Sequence, residues 1–246
     1  MFKAVLSDPS ILKDSIDTIS QLIGEGVFEL KKDGISLIAA DRAMVAVVKF
    51  ELKKSAFEKY ECTEETSIGI NLEYFLQILK RSRGNDKLTL ELDENKLKIK
   101  IEGESVRRFS IPLLDISPSE IPEVDKLEFQ TELKVKTSIL EDAIADADII
   151  SDSIVFEAKD KKFIMKTEGD SSSVEIEVDE KSGLKEISGS DSRSRYALDY
   201  LKKMLGAGKI SDIATLKFGK DFPMKLEFAK PDKITMSFVL APRVEE

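Results

Sequence analysis

The chain has 246 residues, 41% hydrophobic and 35% charged, with a formal net charge of −9. That supports two hydrophobic cores under a heavily charged surface, a composition that also suits a thermophile. There is no His, no Trp and one cysteine, Cys62, which excludes zinc fingers, Cys/His nucleophiles, Ser-His-Asp triads and an intramolecular disulfide and suits a reducing cytosol. No apolar run approaches the ~20 residues of a membrane span, and Met1-Phe2-Lys3 opens no signal-peptide pattern. The acidic balance argues against a uniformly basic surface wrapped in nucleic acid and leaves room for a local basic face.

In chain order, Phe2–Leu6 alternates as a strand, and Asp8-Pro9-Ser10 starts a helix with Asp8 or Ser10 as its cap. Leu12, Ile16, Ile19 and Ile23 recur on one face of that helix. Strands are predicted at 27–30, 35–39 and 45–52, with Asp33-Gly34 as a tight hairpin turn and an irregular loop over Ala40–Met44. A strand at 67–70 leads into a helix over 72–81 that buries Leu72, Phe75, Leu76 and Leu79 and ends at Gly84-Asn85. A meander of strands at 87–92, 96–102 and 106–113 follows.

The stretch Leu113–Phe129 carries Pro118, Pro122 and an excess of carboxylates, with no apolar period, and reads as an extended connector. The chain before it repeats after it. With a shift of 128, Leu12 falls on Leu140, Asp14 on Asp142, and Val27-Phe28-Glu29 on Val155-Phe156-Glu157. After a two-residue drift, Leu72-Glu73-Tyr74 falls on Leu198-Asp199-Tyr200. Two copies of one domain are therefore expected, 1–113 and 128–246, joined by 114–127. The second copy has strands at 133–136, 154–158, 163–167, 173–178, 184–187, 213–218, 225–228 and 234–240, and helices near 139–150 and 198–205. Two short helices per copy cover only one side of the sheets, an α+β layer architecture.

The outward helical residues carry the chemistry. Glu73, Gln77, Lys80, Arg81 and Arg83 belong to the second helix and its end, Asp199, Lys202, Lys203 and Lys209 to the fourth, and Lys13 to the first. They form either solvated helix faces or a basic surface for phosphates. The third helix is acidic at Glu141, Asp142, Asp146 and Asp148. Asp142 and Asp146, four apart, could share a divalent ion, but no His or fixed-spacing ligand completes a site, and a solvated or salt-bridged face is the simpler reading. Gly206-Ala207-Gly208-Lys209-Ile210-Ser211 fails as a P-loop, because Lys203 stands where the first glycine belongs and Ile210 where Ser or Thr belongs. No catalytic residue, metal or cofactor is expected.

The segments MFKAVL, SILKDSIDTISQLI, DGISLIAADRAMVAVVKFEL, IGINLEYFLQILKR, IPLLDI and the terminal FVLAPRVEE, with a duplicated domain and an acidic joining loop, resemble the ring-shaped DNA sliding clamps of the proliferating cell nuclear antigen family in their archaeal form. The resemblance spans the whole chain. It implies a non-enzymatic processivity factor in which three chains close head to tail around duplex DNA, with the helices lining the hole and the sheets outside. Lys13, Lys80, Arg81, Lys202, Lys203 and Lys209 would then face DNA of any sequence, as a basic lining on an acidic body.

Ring closure would pair the edge strand 107–112, with Phe109 and Ile111, against 172–178 of the next chain, with Val174, Ile176 and Val178. Arg81, Arg83 and Arg107 would face Asp142 and Asp146, with Arg81 shared between DNA and joint. Met44, Val45, Val47, Ile121, Pro122, Pro223, Leu240, Ala241 and Pro242 correspond to a pocket for a short apolar and aromatic peptide. DNA polymerase, flap nuclease, ligase and clamp loader would bind through it, in the cytoplasm at the nucleoid. The chain departs from eukaryotic members at Asp142, Ala145 and Asp199, where they are basic, and Ala40 is smaller than the usual pocket residue. Two alternatives stay open: one subunit of a heterotrimeric clamp unable to close alone, and a metal-dependent hydrolase using Asp142 and Asp146.

Overall fold

The structure is a computed structural model that describes residues 1–117 and 121–244; Pro118 of the connector and the last two residues of the C-terminal motif lie outside them. The elements run β1 (Phe2–Leu6), α1 (Ser10–Ser20), β2 (Glu25–Lys31), β3 (Gly34–Ala40), β4 (Ala46–Lys53), β5 (Lys59–Cys62), β6 (Thr66–Asn71), α2 (Leu72–Leu79), β7 (Lys87–Asp93), β8 (Lys96–Glu102) and β9 (Val106–Pro112). They continue with β10 (Thr131–Lys136), α3 (Thr137–Asp148), β11 (Ser153–Lys159), β12 (Lys162–Glu168), β13 (Ser173–Val178), β14 (Leu184–Gly189), β15 (Ser192–Ala197), α4 (Leu198–Met204), β16 (Ile213–Phe218), β17 (Met224–Lys230) and β18 (Ile234–Leu240). β2 recurs 128 residues later as β11, β3 as β12, β8 as β17 and β9 as β18.

The chain divides into two compact units. One holds 1–42, 48–121 and 229–236; the other holds 43–47, 122–228 and 237–246. In the first unit an antiparallel sheet runs in the order β5-β1-β7-β8-β9, and β2 pairs with both β3 and β6. In the second, one sheet runs β13-β12-β11-β15, and β10 pairs with both β14 and β16. α1 packs on α2 and α3 on α4, and each pair covers one face of its unit's strands.

The cores follow from alternation. On α1, Leu12, Ile16 and Ile19 are buried, and Ile23 stays buried although the helix has already ended at Ser20. In the second unit Phe156 stacks edge-on against Phe163 and Phe218 at 5.3 and 6.4 Å. Tyr196 joins them at 5.5 Å, fully buried, and its hydroxyl donates to the Phe222 carbonyl at 2.8 Å, which satisfies its one polar atom.

Several local expectations are corrected. The β2–β3 corner is Lys32-Asp33, because Lys31 pairs with Gly34, which is already the first residue of β3. That glycine is required for another reason. Its φ is +151°, and a Cβ there would lie 2.2 Å from the Leu52 carbonyl oxygen. α2 ends at Leu79, well before Gly84-Asn85, and Asn71 caps its start by accepting the Tyr74 N–H at 2.8 Å. At α1 the cap-like contact comes from Asp8, whose side chain accepts the Ser10 N–H at 2.9 Å; hydrogen bonding from the Ser10 side chain, and then from that N–H, holds its carboxyl below the usual range.

β5 and β15 are strands that alternation did not announce. The inward residues of β15 are Ser192, Ser194 and Tyr196, too polar to show an apolar stripe. The connector holds a short 3₁₀ turn at Val124–Lys126, and its first part is tied by the Leu114 N–H to the Gly69 carbonyl at 2.9 Å.

Gly34→Ala is expected to cost ~1–3 kcal/mol in a denaturant titration. Gly24→Ala, which meets nothing within 4 Å, serves as the control. Equal midpoints for the two would contradict the close approach at Leu52.

Candidate functional site

Three surfaces carry the residues singled out by sequence. The first is the outer side of the helices. Arg81 is exposed just past the end of α2, and Lys13 is half-buried on α1. Lys80 pairs with Asp17 at 2.9 Å, and Lys202 with Asp148 at 2.8 Å and Asp199 at 3.4 Å. Lys203 lies over the Tyr200 ring at 5.3 Å, and Lys209 is exposed in the 3₁₀ turn after α4. The expected basic lining is therefore uneven. In the first unit Lys13, Lys80, Arg81 and Arg83 share the helices and the end of α2 with Asp14, Asp17 and Glu73. In the second, Lys202, Lys203 and Lys209 are outnumbered by Glu141, Asp142, Asp146, Asp148 and Asp199, because α3 carries no cation. The Lys80 and Lys202 pairs are solvated on both sides, so each is worth little and exchanges readily.

The second surface comprises two of the sheet ends, β9 and β13. β9 ends the five-stranded sheet and β13 ends the four-stranded one, so each presents a row of unpaired backbone groups. Phe109, Val174 and Ile176 are half-exposed. Ile111 and Val178, each 2% exposed, point into their own cores and give an edge contact only their backbone. α3 packs against β13 and carries exposed Asp142 and Asp146. At the β9 side, Arg83 is 78% exposed and reaches Glu104 only at 3.6 Å. Arg107 is engaged within its own unit, with Nη2 on Asp86 Oδ2 at 2.7 Å and Nη1 on the Arg81 carbonyl at 2.6 Å. Asp86 escaped the sequence reading, since nothing in a lone carboxylate after a turn announces a remote arginine.

The third surface surrounds the C-terminal segment. Met44 is 50% exposed with φ +58°, and Val45 is half-buried. The Ala241 N–H donates to the Val45 carbonyl at 2.9 Å, which brings the two segments together. The Arg243 N–H donates to the Arg195 carbonyl at 2.8 Å, and the Arg243 guanidinium holds Asp152 at 2.6 Å, depressing that carboxyl. Pro223, Ala241 and Pro242 are half-exposed, whereas Val47 and Leu240 lie in the core, 5% and 0% exposed, and shape the surface from behind. In the connector Ile121 is half-buried and Pro122 exposed.

Among the described residues no three His, Cys, Asp or Glu side chains come together as a metal site, so Asp142 and Asp146 remain a two-carboxylate pair on one helix. Among them, too, no helix is long and apolar enough to cross a membrane.

Residues 1–117 match the family described as proliferating cell nuclear antigen, N-terminal domain. The chain is 39% identical over 246 residues to the DNA polymerase sliding clamp of Methanothermobacter thermautotrophicus, covering all of this chain and 99% of the relative. It is also 39% identical over 249 residues to that of Pyrococcus furiosus, with the same coverage. Among solved structures it superposes on the clamp of Thermococcus kodakaraensis with a TM-score of 0.92 at 30% identity, covering 99% of this chain and all of the other. A chain of the PCNA2–PCNA3 complex of Sulfolobus tokodaii gives 0.91 at 31% identity, with the same coverage. The A. fulgidus clamp with the C-terminal region of FEN-1 bound gives 0.90 at 28% identity, covering all of both chains. With this identity over its full length, the chain belongs to the proliferating cell nuclear antigen family of DNA polymerase sliding clamps.

Proposed function

We propose that this chain is the repeating unit of a closed trimeric ring that encircles duplex DNA and tethers DNA polymerase, flap nuclease, ligase and clamp loader. The carrying observation is that one chain presents two complementary free edges. β9 stands beside the exposed cations Arg81 and Arg83, and β13 beside the exposed carboxylates Asp142 and Asp146. An edge of one kind on each copy gives a heterologous head-to-tail contact, which closes into a ring when the rotation permits. Backbone ladder bonds supply the joint, half-exposed Phe109, Val174 and Ile176 bury apolar area, and the ion pairs set the register.

Function then follows from topology rather than from chemistry at a centre. A ring around DNA needs phosphate contact without base readout, and a few helical cations give weak, exchangeable contacts compatible with sliding. Lys80 and Lys202, already paired with carboxylates, make those contacts weaker still. Partner enzymes bind the surface around Met44, Val45, Pro223, Ala241 and Pro242 through a short peptide, and gain effective concentration on DNA without changing their own active sites. The protein itself acts as a binding platform in the cytoplasm and carries out no reaction.

A second reading, membership of a heteromeric ring, has one observation in its favour: the fold is shared at TM-score 0.91 with a chain of a PCNA2–PCNA3 complex. The presence of both complementary edges on this one chain favours self-assembly.

Reversal of Asp142 and Asp146 to Lys is expected to leave a folded chain that sediments as a monomer; an intact ring would rule out the ion pairs. Met44→Ala is expected to weaken partner-peptide binding by roughly tenfold in calorimetry, and unchanged affinity would move the pocket elsewhere. Arg81→Ala with Lys203→Ala is expected to lower the slope of log affinity for duplex DNA against log salt by about one per contact removed. An unchanged slope would take those cations off the DNA face.

A further inference from the structure

β6 and β15 are end strands that hold the same place in the two repeats, one paired to β2 and the other to β11. Gly69 lies opposite Val27 in the first unit, and Arg195 lies opposite Val155 in the second. Each accepts a backbone N–H from the segment that follows its repeat's last strand: Gly69 from Leu114 at 2.9 Å, Arg195 from Arg243 at 2.8 Å. Beyond that bond the two repeats part. The connector runs over Gly69, with the Leu114 carbonyl oxygen 2.3 Å and the Ile116 side chain 3.0 Å from where a Cβ would stand. Arg195 carries a side chain at that position, so no chain can cross it as closely. The edge of β15 borders a groove of about 520 Å³ instead.

The groove is charged. Lys159, Arg193, Arg195, Lys220 and Arg243 line it, against three carboxylates, Glu157, Asp191 and Asp221. Glu157 already holds Lys166 at 3.4 Å. Among the described residues, Lys159, Arg193 and Lys220 are exposed and enter no ion pair. The strand beneath them is fixed. Ser192 and Ser194 are 5% and 2% exposed, and the Asp221 N–H donates to the Arg193 carbonyl at 3.1 Å. This excess of cations runs against the chain's net charge of −9.

We infer that this groove docks an acidic, extended segment of a partner protein. Sites for small molecules are lined mainly by apolar groups, and this one is not. Cations launched from a paired strand lose little freedom when a carboxylate arrives. A single solvated ion pair is weak, so the occupant needs several carboxylates in a row. The acidic surface elsewhere repels such a segment, which confines it to the groove. The groove adjoins the proposed peptide surface through Pro242, so a partner seated there brings neighbouring chain within reach. The identity of the occupant thus rests on the platform reading above, whereas the preference of the groove for carboxylates does not.

The probe is a fluorescein-labelled octaglutamate peptide, titrated with the full-length chain and followed by anisotropy. It carries no apolar side chain, so its binding and that of the apolar peptide fail separately. Arg193→Glu with Lys220→Glu is expected to weaken octaglutamate binding by roughly tenfold. Lys32→Glu with Lys54→Glu, at exposed cations of the first unit, makes the same change in net charge and is expected to keep affinity within about twofold. Equal losses in the two variants would reduce the effect to overall charge and overturn the inference, as would an absence of binding by the unaltered chain. Should the reversals disturb folding, Arg193→Gln with Lys220→Gln carries the test, with a loss of roughly threefold expected; unchanged affinity would overturn the inference. Binding that emerges only after removal of Glu245 and Glu246 would give the groove to the chain's own end. Displacement by a thymidine octanucleotide as readily as by unlabelled octaglutamate would give it to phosphates. Either result would overturn the assignment to a partner's carboxylates.

Discussion

A sheet covered by helices still ends in an edge, and an edge strand leaves one row of backbone N–H and C=O groups without a ladder. That constraint organises this chain. Each repeat buries the alternate residues of its strands under two helices and leaves its sheets with end strands, among them β9 in the first unit and β13 in the second. Natural proteins blunt such edges with charge, and here the charge is of opposite sign at the two places. Arginines attend β9, and the acidic face of α3 attends β13. In the proposed ring, the same device that discourages each edge from pairing with itself would favour pairing with the other.

Much of this was legible in the residues. Alternation located β1, β8, β13, β16 and β18 at their observed bounds or within a residue, and the 128-residue repeat foreshadowed the recurrence of β2 and β3 as β11 and β12. What escaped had physical reasons. β15 turns Ser192, Ser194 and Tyr196 inward, so a buried strand carries no apolar stripe; its hydroxyls are satisfied by neighbours that only the fold supplies. Aspartate followed by glycine signals a hairpin, yet the glycine at 34 answers to the Leu52 carbonyl in another strand rather than to the turn.

The surface chemistry was less legible than the fold. Helical periodicity places Lys80 and Lys202 outward, but it cannot reveal that Asp17 and Asp148, on different helices, neutralise them. Likewise the cations near β9 look equivalent in sequence. The structure separates them by burial: Arg83 is solvated, while Arg107 serves a nearly enclosed Asp86. Charge patterns therefore identify which surface matters, and burial shows which member of a charged group already has a partner within the chain. The uneven helical face fits a clamp that holds DNA by enclosure more than by affinity, because α3 contributes carboxylates where a tight binder would place cations.

The central claim is that the chain closes on itself through its own two edges. The most direct test is the mass of the pure protein in solution by light scattering, at low and high salt. The account predicts three times the 27.5 kDa of one chain at low salt, loosening toward the single-chain mass as salt screens the joint. A single-chain mass at every salt would contradict self-closure and point to a ring completed by sister chains.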